Sequence, residues 1–112
     1  MVDSKDYLNK VVHIKMDRPK GSKHPTRDFV YPVNYGFVPD TISGDGEELD
    51  AYILGVDEVL QEFIGTCIAI IHRTNDDDDK LIVVPTGVNF TDGEIRELTY
   101  FQENYYESVI IR

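Results

Sequence analysis

The chain has 112 residues, 41% of them hydrophobic, and a formal net charge of −10. That length supports one domain with one core, so we expect a single domain over residues 1–112. The acidic excess argues against nucleic acid and against anionic membranes as partners, because binding to either polyanion depends on clustered lysine and arginine.

Short segments rich in β-branched and aromatic residues predict a mainly β protein. Apolar side chains alternate along residues 11–16, a pattern typical of a half-buried strand. The β-prone segments 29–31 and 33–38 are separated by Pro32 and followed by Pro39, which predicts a bent or edge strand. Three further short strands are predicted at residues 49–54, 64–72 and 81–84.

One helix is predicted near the C-terminal end of the sequence. Thr91 and Glu94 have the spacing of a capping box, in which each side chain bonds to the backbone of the other residue. Apolar residues then recur at helical spacing up to Tyr106, namely Ile95, Leu98, Phe101 and Tyr105. Residues 108–112 are compatible with a last short strand. Together these elements predict a small barrel with one helix packed outside it.

A glycine-rich acidic segment at residues 43–50 is the first candidate site. Its glycines permit tight turns, so the carboxylates of Asp45, Glu47 and Asp50 can converge. Converging carboxylates repel one another unless a cation lies between them, and their oxygen atoms suit Mg²⁺, Mn²⁺ or Ca²⁺. The alternative is an acidic turn that is simply solvated.

A second acidic segment precedes the predicted strand at residues 81–84. Four successive aspartates at residues 76–79 are followed directly by Lys80. A soluble hairpin tip would have the same composition. The lysine favours a site, because an ammonium group beside carboxylates is well placed to hold a phosphate oxygen while the acids hold a metal.

Other sequence features restrict the class of protein further. No pair of histidines has zinc-ligand spacing, and no glycine-rich phosphate loop or nucleophile elbow is present. The single cysteine, Cys67, lies in the apolar run 63–71 and is predicted to be a buried small side chain. With no signal peptide and no run long enough to cross a membrane, we expect a cytoplasmic protein. The sequence leaves a homo-oligomer open.

Collinear motifs between residues 11 and 106 resemble those of the Family I soluble inorganic pyrophosphatases. Residues 31–36, Tyr-Pro-Val-Asn-Tyr-Gly, are similar to the family motif Tyr-Pro-x-Asn-Tyr-Gly. Residues 45–50, Asp-Gly-Glu-Glu-Leu-Asp, resemble the family motif Asp-Gly-Asp-Pro-x-Asp. Residues 19–22, 78–85 and 101–105 resemble flanking motifs in the family order.

The resemblance implies a fold that is mainly β with one C-terminal helix, in the form of an OB-like five-stranded barrel. It also implies Mg²⁺-dependent hydrolysis of inorganic pyrophosphate to two orthophosphates by a water activated by two metal ions, with Mn²⁺ as a possible substitute. The implied metal ligands are Asp45, Asp50 and Asp78, and Glu47 is the implied acceptor of the water's proton. The implied substrate contacts are Lys23, Arg27, Tyr35, Lys80 and Tyr105.

The chain also differs from the family pattern. Glu47 replaces an aspartate, Lys15 stands in place of a glutamate on the first strand, and Tyr106 replaces a lysine after the helical tyrosine. Asn75 stands where an aspartate opens the second acidic segment, unless Asp76 takes that place. The segment between Ser22 and Tyr31 is also much shorter than in the family pattern. These differences support two alternatives: a catalytically weak relative that binds metal and phosphate, and an OB-type interaction module.

Overall fold

The computed structural model describes residues 2–42, 46–76 and 78–112. A short 3₁₀ helix at Ser4–Tyr7 precedes six strands and one α-helix. These are β1 (Val11–Arg18), β2 (Asn34–Phe37), β3 (Asp50–Ile53), β4 (Glu62–Arg73), β5 (Asp79–Val84), α1 (Asp92–Glu103) and β6 (Ser108–Ile111).

The strands form one sheet in the order β1-β2-β3-β5-β4-β6, and an additional pairing of β1 with β4 closes the first five into a barrel. Neighbouring strands are antiparallel except β3 and β5, which are parallel. This five-stranded arrangement with a C-terminal helix confirms the predicted OB-like barrel. The last strand, β6, pairs with the C-terminal part of β4, whose N-terminal part pairs with β1.

Apolar side chains are buried on both faces of the central strands. Ile14, Ile53, Leu81 and Val83 belong to a cluster formed by side chains of β1, β3, β4 and β5, which fill the barrel. The alternate residues of β3, β4 and β5, among them Tyr52 and Ile82, pack in a second cluster with Ile95 of α1. All of β5 after its first residue is buried, since it has the barrel interior on one side and the helix layer on the other.

The structure differs from the predicted strands in two places, the segment before Pro32 and the start of β4. The β-prone segment 29–31 forms only an isolated bridge between Val30 and Lys23, because Pro32 has no N–H to continue a ladder. Strand β4 extends two residues further toward the N-terminus than predicted, to Glu62, where it pairs with Lys15.

The helix has the predicted start, a different end, and a buried face that matches the predicted one only in part. Thr91 Oγ1 accepts from the Glu94 amide at 3.2 Å, and the Glu94 carboxylate accepts from the Thr91 amide at 2.9 Å, so the capping box is present. The helix ends at Glu103 rather than Tyr106, because the Asn104 side chain caps carbonyls of the last turn. Its buried side chains are mostly polar, whereas Leu98 is 37% exposed.

Glycine is required in β2, where the strand approaches β1 closely. A Cβ atom on Gly36 would lie 2.1 Å from the carbonyl oxygen of Lys15. Cys67 is buried as predicted, and burial raises the pKa of its thiol to about 11. Within the part of the chain that the structure describes, no helix combines the length and the apolar content of a membrane span.

Candidate active site

Two adjoining pockets lie where β1 ends and β3 and β5 begin. An acidic pocket of about 280 Å³ is lined by Asp17, Phe37, Glu47, Glu48 and Asp50. A basic cleft of about 230 Å³ contains four cationic side chains and one histidine, namely Arg18, Arg27, Arg73, Lys80 and His24. Asp17 lines both spaces, so groups of opposite charge face each other across a short boundary.

Strand register brings these groups together. Asp50 and Lys80 are Cα partners in the parallel pairing of β3 with β5, so their side chains leave the sheet side by side. The register of β1 against β2 shifts between Met16 and Arg18, which makes Asp17 the extra residue of a β-bulge. Bulges of this kind redirect a side chain next to a site. The backbone of four strands therefore directs both charge types to one edge of the barrel.

Lys80 lies between two of the predicted metal ligands. Its ammonium group donates to Asp50 Oδ2 at 2.6 Å and to Asp78 Oδ2 at 2.8 Å. The lysine is almost fully buried. Burial alone would lower its pKa, but the charges of Asp50 and Asp78 outweigh burial and hold the pKa of Lys80 above its ordinary value. The lysine is therefore charged and acts as the counter-ion of both carboxylates.

Arg73, at the end of β4, is a second buried cation in the cleft. Its Nε and Nη2 atoms donate to the two oxygens of Glu103 at 3.0 and 2.7 Å, a bidentate arrangement. Its Nη1 atom donates to Asp78 Oδ2 at 3.3 Å, and the guanidinium lies 3.6 Å from the ring centroid of Tyr106. Burial disfavours the charged form, but hydrogen bonds and charge from Glu103 hold the pKa of Arg73 above its ordinary value.

A buried polar network connects α1 with the floor of the cleft. Tyr52 donates to Glu103 Oε2 at 2.6 Å, and Gln102 donates to the Tyr52 hydroxyl at 2.7 Å. Tyr31 donates to Gln102 Oε1 at 2.7 Å. Burial first, and then Glu103, raise the pKa of Tyr52 well above its ordinary value. The polar face of the helix thus fixes the position of Glu103, which in turn holds Arg73.

Of the predicted substrate contacts, Tyr35 and Arg27 line the cleft with Lys80. Tyr35 is buried, and its hydroxyl interacts with Asp50; burial and then Asp50 raise its pKa well above its ordinary value. Tyr105 is 47% exposed, and its ring lies 3.8 Å from the guanidinium of Arg27, so it supports the arginine and does not itself line the cleft.

The remaining predicted residues lie in different surroundings. Glu47 is exposed and lines the acidic pocket with Asp50. Lys23 is exposed outside both pockets, on the isolated bridge with Val30. The predicted ligand Asp45 lies outside the described residues.

The donor chemistry of the acidic edge suits a hard divalent cation. Asp50 and Asp78 both present carboxylate oxygens to a single positive centre, the kind of donor that Mg²⁺ and Mn²⁺ prefer. Across residues 2–42, 46–76 and 78–112, however, no three His, Cys, Asp or Glu side chains are grouped closely enough to hold a metal. Two of the three predicted ligands are thus adjacent, and Lys80 provides the positive charge between them.

Sequence reasoning missed Asp17, Arg18, His24, Arg73 and Glu103 as residues at or beside the cleft. Asp17 and Arg18 lie beyond the strand predicted at residues 11–16, and only the bulge in β1 brings them to the pocket boundary. Arg73 and Glu103 are 30 residues apart, so no local pattern indicates that they pair. Tyr106 gave a partial signal, because it replaces a lysine of the family pattern and its ring centroid lies 3.6 Å from the guanidinium of Arg73.

A sequence model of the inorganic pyrophosphatase family matches residues 6–110. The chain therefore belongs to the inorganic pyrophosphatase family. It is 38% identical over 73 residues to the inorganic pyrophosphatase of Rickettsia prowazekii, which covers 61% of this chain and 42% of that protein. It is 31% identical over 85 residues to that of Ralstonia nicotianae, which covers 68% of this chain and 48% of that protein. The matched region spans less than half the length of these relatives.

Solved structures agree with the family assignment at the level of the fold. The crystal structure of inorganic pyrophosphatase from Ehrlichia chaffeensis superposes with a TM-score of 0.69 at 17% identity, over 90% of this chain and 84% of that one. The enzyme from Thermus thermophilus gives a TM-score of 0.64 at 21% identity, over 99% and 84% of the two chains. At these identities the likeness establishes the fold alone.

Proposed function

We propose that this chain hydrolyses inorganic pyrophosphate to two orthophosphates, with Mg²⁺ as its cofactor and Mn²⁺ as a substitute. The observation that carries the proposal is the contact between an acidic pocket and a basic cleft that share Asp17. A substrate that is a polyanion carrying divalent cations needs both kinds of surface at once. Membership of the pyrophosphatase family agrees with this substrate.

In this proposal the metal is held by oxygen ligands from Asp45, Asp50 and Asp78. When bound, Mg²⁺ would neutralise charge on the phosphoryl groups and lower the pKa of a bound water. Asp50 and Asp78 already face one positive centre, so the carboxylates are pre-arranged around positive charge. Removal of either negative charge weakens the attraction for a divalent cation.

Lys80 has a second role in this mechanism. An ammonium group has three N–H donors, and two of them are used by Asp50 and Asp78. Because Lys80 also lines the basic cleft, its third donor is suited to a phosphate oxygen. Lys80 would therefore join the metal side of the site to the phosphate side.

The other proposed roles follow the charges around the two pockets. Glu47, in the acidic pocket, would accept the proton of the attacking water. Arg27 and Tyr35 would bind phosphate oxygens from the cleft, and Tyr105 would act by holding Arg27. Lys23, which lies outside both pockets, would reach the substrate only when it is bound. The Arg27 guanidinium is held on the Tyr105 ring, which reduces the freedom lost when arginine binds an anion.

A second function is supported by a specific observation. Asp50 and Asp78 are already neutralised by Lys80 and Arg73, and Glu47 is one methylene longer than the family aspartate. A protein with this arrangement could bind metal and phosphate with little or no turnover. Proton transfer needs a contact of about 2.6–3.2 Å, so the extra methylene is the point at which the two functions diverge.

Phosphate release from pyrophosphate, measured with Mg²⁺ and with a chelator, distinguishes these functions. We expect release that requires Mg²⁺, and we expect Asp50→Asn to lose it together with Mg²⁺ binding measured by calorimetry. Asp57→Asn is the matched control, because Asp57 is an exposed aspartate outside both pockets. If wild type releases no phosphate above background in Mg²⁺ or Mn²⁺, the binding-protein alternative replaces the enzyme.

A further inference from the structure

His24 lies on the wall of the basic cleft in a turn that its own side chain closes. Its Nδ1 atom is 3.1 Å from the backbone nitrogen of Thr26 and 2.9 Å from that of Arg27. A backbone N–H is always a donor, so Nδ1 must be the acceptor in both bonds. The neutral imidazole has one proton, and that proton therefore lies on Nε2.

The Nε2–H group is open for a ligand. Nε2 has no hydrogen-bond partner among the described residues. In that part of the chain, every buried side-chain nitrogen or oxygen has a partner, so Nε2 is not buried and a ligand can reach it. The ring is held by aromatic contacts, with centroids 4.9 Å from Phe29 and 6.1 Å from Tyr31. His24 lines the cleft together with Arg18 and Arg27, and its remaining donor is the Nε2–H group.

The surroundings of His24 favour the neutral imidazole, with its proton on Nε2. Burial, followed by the positive charges of Arg27 and Arg18, lowers the pKa of the imidazole below its ordinary value. The ring consequently remains neutral near pH 7. Protonation of Nδ1 would also break the two bonds that close the turn.

We propose that His24 is a substrate-contacting residue, whose Nε2–H donates to a phosphate oxygen of the anion in the cleft while Nδ1 holds the turn that positions Arg27. This rests on the proposed function, because it assumes a phosphate ligand in the cleft. The turn lies in the segment that is much shorter here than in the family pattern. His24 and Arg27 would thus form a compact anion-binding wall within that short segment.

Two substitutions separate the contact from the turn. The Oδ1 atom of Asn can replace Nδ1 as an acceptor, so His24→Asn keeps the turn and loses the distal donor. The amide nitrogen of Gln can reach the place of Nε2, so His24→Gln keeps a distal donor and loses the acceptor. His13→Asn is the matched control, because His13 is an exposed histidine on β1 that pairs with Glu62 away from the cleft.

The probe is inorganic phosphate, titrated calorimetrically at a fixed Mg²⁺ concentration, with melting temperature recorded for each variant. For His24→Asn we expect phosphate affinity to fall about ten- to hundredfold, the effect of one hydrogen bond to a charged acceptor, at an unchanged melting temperature. For His24→Gln we expect a lower melting temperature but tighter phosphate binding than His24→Asn. His13→Asn should match wild type in affinity.

The proposal would be overturned if His24→Asn bound phosphate as tightly as wild type. It would also be overturned if phosphate affinity fell in proportion to melting temperature across the variants, because a histidine with a purely structural role gives that result. Absence of phosphate binding by wild type would overturn it as well. The two proposals can fail separately. If wild type binds phosphate, and His24→Asn weakens that binding, but wild type releases no phosphate from pyrophosphate, then the proposed function is refuted and the His24 contact is supported.

Discussion

At the scale of single residues, Lys80 is a buried cation that contacts both Asp50 and Asp78. Its ammonium group is almost fully buried. Asp78 has a second cationic partner in Arg73, whereas the other partner of Asp50 is the neutral hydroxyl of Tyr35. Removing one partner of a buried ion pair leaves the other charge desolvated without compensation. The stability of the described fold in the absence of metal should therefore depend on this one lysine.

We predict that Lys80→Met lowers the free energy of unfolding by about 3 kcal/mol, near the lower limit for breaking a buried ion pair, because Asp50 is partly exposed. Chemical denaturation measures this loss. Added Mg²⁺ should recover part of it, since a cation can replace the missing charge. Lys20→Met is the control, because Lys20 lies 4.0 Å from the exposed Asp57 and should change stability by less than about 1 kcal/mol. Equal losses in the two variants would contradict the role of Lys80.

His24 gives a second prediction at this scale, one that concerns pH. Its folded pKa lies below the ordinary value of 6.5, so the unfolded chain binds this proton more readily than the folded chain. The stabilisation is complete above pH 6.5 and decreases as pH falls from there to the folded pKa. The charges that act on the ring are the guanidinium groups of Arg27 and Arg18.

Melting temperature from about pH 7.5 to about pH 5.5 tests this linkage. Wild type should lose stability more steeply than His24→Asn on the acidic side, because asparagine does not titrate while the carboxylates are common to both proteins. Parallel curves for the two proteins would show that His24 is not linked to folding in this way.

At the scale of elements, the pairing of β1 with β2 depends on Gly36. A methyl group there would lie 2.1 Å from a backbone oxygen, which cannot move without separating the strands. We predict that Gly36→Ala destabilises the protein by roughly 2–3 kcal/mol, the upper range for overpacking. Denaturant unfolding checks the magnitude.

Gly93→Ala is the matched control for that substitution. Gly93 lies in α1, and a Cβ there would be no closer than 3.9 Å to the nearest atom, the Thr91 hydroxyl. Since alanine is favoured over glycine in a helix, this variant should be stabilised by up to about 1 kcal/mol. A Gly36→Ala protein as stable as wild type would show that β2 can shift away from β1.

The elements differed in how far they could be predicted. Alternation and β-branched composition predicted the strands of the barrel, because each has at least one face in a core. The helix start was predictable because the capping box is a local motif. The polar part of the buried face of α1 was not, because Glu103 is buried by bonds to Tyr52 and Arg73, which are 51 and 30 residues away in the sequence.

At the scale of the whole molecule, charge is distributed unevenly. The net charge is −10, yet four cationic side chains line one cleft beside the acidic pocket. A bare polyanion is repelled by the average field, whereas a substrate that carries divalent cations is repelled less. This distribution agrees with the ligand proposed above, a magnesium complex of pyrophosphate.

The site as a whole could be predicted only in part. The acidic motifs and the adjoining Lys80 were predictable because each lies within one short segment of the sequence. The register of β3 with β5 then brings Asp50 and Lys80 together. The basic wall could not be predicted, because Arg18, His24 and Arg73 come from a bulge, a turn and the end of a long strand. Their convergence is a property of the closed barrel.

Glu47 provides the most direct test of the central claim that the two pockets form a hydrolytic site. The measurement is the rate of phosphate release from pyrophosphate by wild type and by Glu47→Gln, at Mg²⁺ concentrations that saturate both. The substitution keeps size and polarity and removes the proton acceptor, so we expect a loss of at least about 100-fold in rate, the lower limit for general-base catalysis. Magnesium affinity should remain close to that of wild type. Equal rates for the two proteins would contradict the assignment of Glu47 and the hydrolytic mechanism built on it.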